Sequence, residues 1–153
     1  MHCSVRRLLL RWVRGCTVIL RKRTHASILI VEDDKALRAE LAELLREEGF
    51  KIAVASNGAE ALRWLERGLE PSAILLDLTM PLMDGWEFRA RQLENPKFAS
   101  IPVILLSGAR ETVEAIAALG ALGGVSKPFE AEKLLDLLDT CAPAPEYTRS
   151  VQR

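Results

Sequence analysis

From residue 27 onward, short aliphatic runs take turns with stretches whose apolar residues recur every three or four positions. The runs read as strands and the stretches as helices. Ser27 to Val31 is the first strand. Leu37, Leu41, Leu44 and Leu45 then share one face of a helix, with Arg38, Glu40, Glu43 and Glu47 elsewhere, and Gly49 closes it as a C-cap. Lys51 to Ala55 is the second strand. Asn57-Gly58 turns the chain into a helix around Ala59, Ala61, Leu62 and Leu65 that ends at Gly68. The third strand, Ala73-Ile74-Leu75-Leu76-Asp77, is bounded upstream by Pro71-Ser72 and stops on a carboxylate. A helix follows from about Gly85 to Leu93, and Pro96 bars its continuation. Ile101 to Leu106 is the fourth strand and ends on Ser107-Gly108. A helix of Val113, Ile116, Ala117 and Leu119 leads to the short strand Leu122 to Ser126. Lys127-Pro128-Phe129 opens the loop before the last helix, Glu130 to Leu138.

Strand and helix thus alternate five times, and strands that are apolar throughout imply a parallel sheet covered on both faces. The expected fold is α/β, a doubly wound five-stranded parallel sheet of the flavodoxin-like order 2-1-3-4-5. Such sheets place their chemistry in the crevice beyond the carboxyl ends of the strands. Strand one ends on Glu32-Asp33-Asp34, strand three on Asp77 and strand four on Ser107, and strand five runs into Lys127. In this order strands one and three are neighbours, so Glu32, Asp33 and Asp77 converge.

Composition narrows the setting. A chain of 153 residues is about one domain, and its 49% apolar and 27% charged residues are ordinary for a globular protein. Aromatics make up 5%, so the core must be aliphatic. Cys3, Cys16 and Cys141 form neither a disulfide framework nor a metal spacing, which points to a reducing, cytoplasmic interior. His2 and His25 both precede the first strand, so the globular part can assemble no histidine metal cluster and no Ser-His triad. The net charge of zero hides an asymmetry. Residues 1–27 hold seven Lys/Arg and no acid, whereas the rest holds 21 acids against 14 bases. The expected division is a basic arm (1–26), a domain (27–141) and a polar tail (142–153).

The arm places Leu9, Trp12, Val13, Cys16, Ile19 and Leu20 on one side of a helical wheel and Arg7, Arg11 and Arg14 on the other. Its longest uncharged run, Gly15 to Leu20, is too short to span a bilayer. Three readings stand side by side: an arm for anionic membrane or nucleic acid, an organelle presequence, or an extension without function.

Each residue at the strand ends has a plain reading as well as a chemical one. Asp34 is expected to cap the first helix, and Glu32 and Asp33 could serve its dipole. Asp77 and Ser107 could be turn residues, and Lys127 a solvated loop lysine. Their shared edge favours chemistry. Clustered carboxylates raise one another's pKa unless a cation joins them. Mg²⁺ suits an all-oxygen site with few protein ligands. An acid cluster, one lysine and one hydroxyl are the parts for phosphoryl transfer to a carboxylate nucleophile.

Four segments in order now carry a resemblance: Ile28 to Asp34, Leu75 to Gly85, Pro102 to Gly108, and Ser126-Lys127-Pro128-Phe129. Over about residues 27–140 the chain resembles the receiver domain of response regulators in two-component signalling. The resemblance implies that Asp77 is the phosphoacceptor, charged by a histidine kinase or a histidine phosphotransfer protein. It implies Mg²⁺ held by Asp33, Asp77 and the Thr79 backbone carbonyl, with Glu32 binding through water. Lys127 and Ser107 would bind the phosphoryl group, and the face of helix four, strand five and helix five would switch a protein partner. Thr79 and Ala109 lie where the family tunes water access to the acyl phosphate.

One position departs from the pattern. Three residues before Lys127, where the family often has a rotating Tyr or Phe, this chain has Gly124. The resemblance therefore implies phosphorylation without the usual aromatic readout. About a dozen polar residues follow the last helix, so the expectation is a stand-alone receiver that docks to an effector or relays the phosphoryl group. Two rivals remain: a DNA- or membrane-associated regulator acting through the arm, and an Asp-nucleophile phosphatase of the haloacid dehalogenase type. The latter needs an acid two residues after its nucleophile, and that position is Thr79.

Overall fold

Five aliphatic segments line up as parallel strands in the computed structural model, which describes residues 26–107 and 112–141. They are β1 (Ser27–Val31), β2 (Lys51–Ala55), β3 (Ala73–Asp77), β4 (Val103–Ser107) and β5 (Gly123–Ser126). Between and after them lie α1 (Lys35–Glu47), α2 (Gly58–Glu66), α3 (Gly85–Glu94), α4 (Thr112–Leu119) and α5 (Ala131–Cys141). The strand order is β2-β1-β3-β4-β5, as expected for a doubly wound sheet.

Side-chain alternation sorts each central strand into two cores. Leu29, Val31, Ile74, Leu76, Val103 and Leu105 pack with Ala61 and Leu65 of α2, Phe88 of α3, and Ala115 and Leu119 of α4. Ile28, Ile30, Leu75, Ile104, Leu106 and Val125 pack on the other face with Leu41 and Leu45 of α1 and Leu134 and Leu138 of α5. Because β1, β3 and β4 have helices on both sides, nearly every residue in them is buried.

The caps follow from local chemistry. Asp34 accepts the Leu37 N–H at 2.9 Å, as expected, and Asn57 and Asp84 do the same for Glu60 and Glu87. Gly49 and Gly68 leave α1 and α2 with positive φ. A few bounds differ from the sequence reading. β4 starts at Val103 rather than Ile101, because Pro102 has no N–H to give and joins the ladder only through its carbonyl, which accepts from Ile74. β4 also reaches Ser107, whose carbonyl accepts the Lys127 N–H at 2.8 Å. α5 continues to Cys141, about one turn beyond the last expected residue. Residues 1–25 of the arm and the whole tail, together with Gly108 and Ala109, lie outside the described residues.

α3 is seated tightly on the end of β3. A Cβ on Gly85 would lie 2.4 Å from the Asp77 carbonyl oxygen and 2.8 Å from the Leu78 Cα, both backbone atoms that cannot turn aside. Two residues before the Asp84 cap, Leu82 holds a left-handed φ of 68° while almost fully exposed.

Three outcomes are expected in urea unfolding. Gly85→Ala should cost about 2 kcal/mol or more, since strand and helix must separate. Leu82→Asn should gain about 0.5–1 kcal/mol, because Asn tolerates the left-handed region better. The Glu60 carboxylate accepts from the Ser56 backbone N–H and hydroxyl, both at 2.7 Å, which holds its pKa below the ordinary 4.5. A depressed folded pKa gives stability that is present above the unfolded value and lost as pH falls through the folded one. Discounted for its solvent exposure, Glu60→Ala should therefore cost about 0.5 kcal/mol at pH 7, with the deficit vanishing as pH falls below the folded pKa.

Candidate functional site

The carboxyl edge of the sheet brings together the residues that the strand ends singled out. Glu32 follows β1 directly and is fully buried, Asp77 closes β3 at 5% exposure, and Asp33 faces solvent. One carboxylate oxygen from each of Glu32, Asp33 and Asp77 lies within 4.8 Å of the other two. At that range each pair repels by about 3 kcal/mol if the effective dielectric is near 20. Such a cluster survives only with cations and donors around it.

Among the described residues, Lys127 is the cation that pairs with these carboxylates. From the loop after β5 its Nζ reaches Glu32 Oε2 at 2.8 Å and Asp77 Oδ2 at 3.3 Å, with its own side chain about 30% exposed. The other oxygens are met from the backbone. Glu32 Oε1 accepts the Asp34 N–H at 3.1 Å, and Asp77 Oδ1 accepts the Thr79 N–H at 3.3 Å. Thr79 itself stands exposed in the loop beyond Asp77. Ser107 is buried at the end of β4, and its register partner on β5 is Ser126, next to Lys127. Gly124 pairs with Leu105 inside the sheet, so the edge strand carries no side chain where an aromatic was looked for.

Burial pushes the Glu32 carboxyl above its ordinary pKa and Asp77 adds to this, against the hydrogen bonds from Lys127 and Asp34 that favour the charged form. Burial works against the Lys127 ammonium too. The Glu32 hydrogen bond and the charges of Asp77 and Glu32 outweigh it, and the pKa of Lys127 is raised.

The donor set fits a hard divalent cation. Three carboxylates against one lysine leave an excess of negative charge, all of it on oxygen, with one ligand open to water through Asp33. Sequence reasoning missed Arg38, whose Nη1 donates to the carbonyls of Glu32 at 2.6 Å and Asp33 at 3.2 Å. Its position one turn after the Asp34 cap was the available signal: a first-turn arginine can fold back on the loop before the helix.

Residues 28–139 match the family model described as "Response regulator receiver domain". The chain belongs to this family. The receiver is 34% identical over 114 residues to the probable transcriptional regulator ycf29 of Porphyra purpurea, an alignment covering 73% of this chain and 54% of that protein. The chain thus spans about half the length of the first curated relatives it matches. A putative response regulator from Chloroflexus aurantiacus superposes with TM-score 0.71 at 28% identity, over 76% of this receiver and 97% of that chain. The receiver domain of the Pseudomonas aeruginosa sensor histidine kinase PA1611, solved with a magnesium ion coordinated in its active-site cleft, gives 0.70 at 25% identity over 77% and 98%. Among the described residues no helix is long and apolar enough to cross a membrane.

Lys127 sets a pH limit. A raised folded pKa for a lysine means stability that is complete below the unfolded value of 10.5 and lost as pH rises through the folded one. With chelator present, Lys127→Met should cost about 1–2 kcal/mol at pH 8, discounted for partial exposure. The gap to the wild type should close as pH rises above 10.5, which thermal unfolding at several pH values would show.

Proposed function

We propose that this receiver is a phosphoacceptor switch in which Asp77 takes a phosphoryl group from a phosphohistidine. The observation that carries the reading is Lys127 Nζ lying between Glu32 and Asp77, which ties the ends of β1, β3 and β5 into one site. In the transfer an Asp77 carboxylate oxygen bonds to phosphorus, the phosphorus–nitrogen bond breaks, and the imidazole leaves with its electron pair and takes up a proton. The acyl phosphate later loses its phosphoryl group to water.

The protein supplies position and charge rather than covalent help. Lys127 can turn from carboxylate to phosphoryl oxygen with little movement, because it already borders Asp77. Ser107 would donate to the incoming group, a reading supported by its register one step beyond Leu106, the partner of Asp77. The Thr79 N–H holds one Asp77 oxygen and so leaves the other toward Lys127. Asp33, Asp77 and the Thr79 carbonyl would hold Mg²⁺, with Glu32 acting through water. Bound there, the ion would offset charge on the transferring group. A phosphoryl group would carry about −1.5 to −2 charge in place of the carboxylate's single charge, so phosphorylation would add up to about one negative charge and three acceptor oxygens to an edge that already holds three carboxylates against one lysine. The partners that fit are a histidine kinase or a histidine phosphotransfer protein upstream and a protein effector downstream.

Labelling of the full chain by radiolabelled acetyl phosphate tests this. Incorporation should need Mg²⁺, disappear in EDTA and in Asp77→Asn, and fall by about a hundredfold or more in Asp33→Asn as a metal ligand is lost. Label that persists in Asp77→Asn removes the assignment.

A further inference from the structure

α3 carries a buried stripe of Gly85, Phe88, Arg89 and Gln92. The spacing, i, i+3, i+4 and i+7, is that of a helix face turned to the core. Two of the four are polar, and Arg89 is a cation at 5% exposure. At one end of the stripe, Gly85 bears on the Asp77 carbonyl, and its N–H donates to the Leu78 carbonyl at 3.0 Å.

One turn further on, the stripe grips a different helix. Arg89 Nε donates to the Leu119 carbonyl at 3.0 Å, and its Nη2 donates to the Gly120 carbonyl at 3.1 Å. These carbonyls close α4, where Gly120 turns the chain with φ 57°. The last carbonyls of a helix lack partners of their own, and α4 has no basic residue in its last turn. Arg89 provides from outside both the donors and the positive charge that a helix C-terminus attracts. Its Nη1 donates to Gln92 Oε1 at 2.8 Å, and Gln92 Nε2 donates to the carbonyls of Phe98 at 3.0 Å and Ile101 at 3.1 Å. No carboxylate lies within 4.0 Å of Arg89 among the described residues. Burial lowers its pKa, although a guanidinium stays charged. The network therefore joins the backbone of the Asp77 loop, α3, the turn that feeds β4 and the far end of α4.

We infer that Arg89 is a positioning residue that couples the Asp77 site to α4 by pinning the C-terminal end of that helix to α3. The inference rests on the reading of Asp77 as the phosphoacceptor. With Leu119 and Gly120 held, a pull from Ser107 at the other end tilts α4 about a fixed point instead of sliding it. This coupling replaces the aromatic side chain that position 124 lacks, since it runs through α3 and leaves β5 out.

Hydrogen-exchange mass spectrometry on the full chain with Mg²⁺, with and without beryllofluoride, tests the coupling. Wild type should change its exchange across residues 112–122 when beryllofluoride is added. Arg89→Met should lose that response by at least about fivefold, while acetyl phosphate still labels Asp77 within about threefold of wild type. A folded Arg89→Met with the full wild-type response overturns the inference, as does a wild type that labels but shows no response in α4. If Arg89→Met does not fold, Arg89→Lys decides, because an ammonium lacks the planar fork that spans two carbonyls. A reduced response then supports the inference, and an undiminished one overturns it. Failure of the phosphoacceptor reading looks different: wild type takes no label, or Asp77→Asn keeps it.

Discussion

Two carboxylates buried at the edge of a parallel sheet need a cation, and much of this structure follows from how that need is met. Glu32 has no exposed surface, so its charge cannot be left to water. Lys127 answers it from the opposite side of β3, at 2.8 Å, and reaches Asp77 on the way. That requires β5 to lie beyond β4 with its carboxyl end on the same edge, which the parallel order β2-β1-β3-β4-β5 provides. The pairing is incomplete by design of the residue count, with three acids clustered and one lysine bridging two of them. A site left short of positive charge is one that a divalent cation fits.

The same edge is held in shape by local contacts. Side-chain oxygens of Asp34, Asn57 and Asp84 cap the helices after β1, β2 and β3, so those three loops end in fixed hydrogen bonds. α3 is pressed onto the Asp77 backbone at Gly85, where there is no room for even one more carbon. Rigidity near the acids contrasts with the far end of the same core. There the buried Arg89 holds the end of α4 by hydrogen bonds to carbonyls, and Gln92, which accepts from Arg89, holds the turn before β4, contacts that depend on direction.

The first curated relatives are about twice the length of the matched segment, so what the receiver acts upon is a matter of its surfaces and partners. Within the domain, position 124 carries no side chain, and two helices are linked to the Asp77 loop through backbone and hydrogen-bond contacts. α3 is linked through Gly85, and α4 is tied to α3 through Arg89.

The alternation of aliphatic runs and amphipathic stretches was enough, by itself, to specify the five strands, the helices between them and the parallel sheet. Burial on both faces leaves no polar positions in a central strand, so β1, β3 and β4 announce themselves. Asp33, Asp77, Ser107 and Lys127 were legible because each stands at the end of such a run, where backbone regularity stops and chemistry can begin. Glu32 was legible as an acid of the site, but its complete burial came only with the fold. The bound of β4 shifted because Pro102 lacks an N–H whatever its aliphatic surroundings, and that of α5 because a helix's last turn is settled by neighbours rather than by local pattern. Arg38 had only a local signal, its place one turn after the Asp34 cap, and reads from sequence as a solvent-facing helix residue. Arg89 belongs to tertiary structure alone. Arg89 shares the spacing of Gly85 and Phe88, yet only the arrival of the α4 carbonyls, some thirty residues on, gives a buried guanidinium its partners.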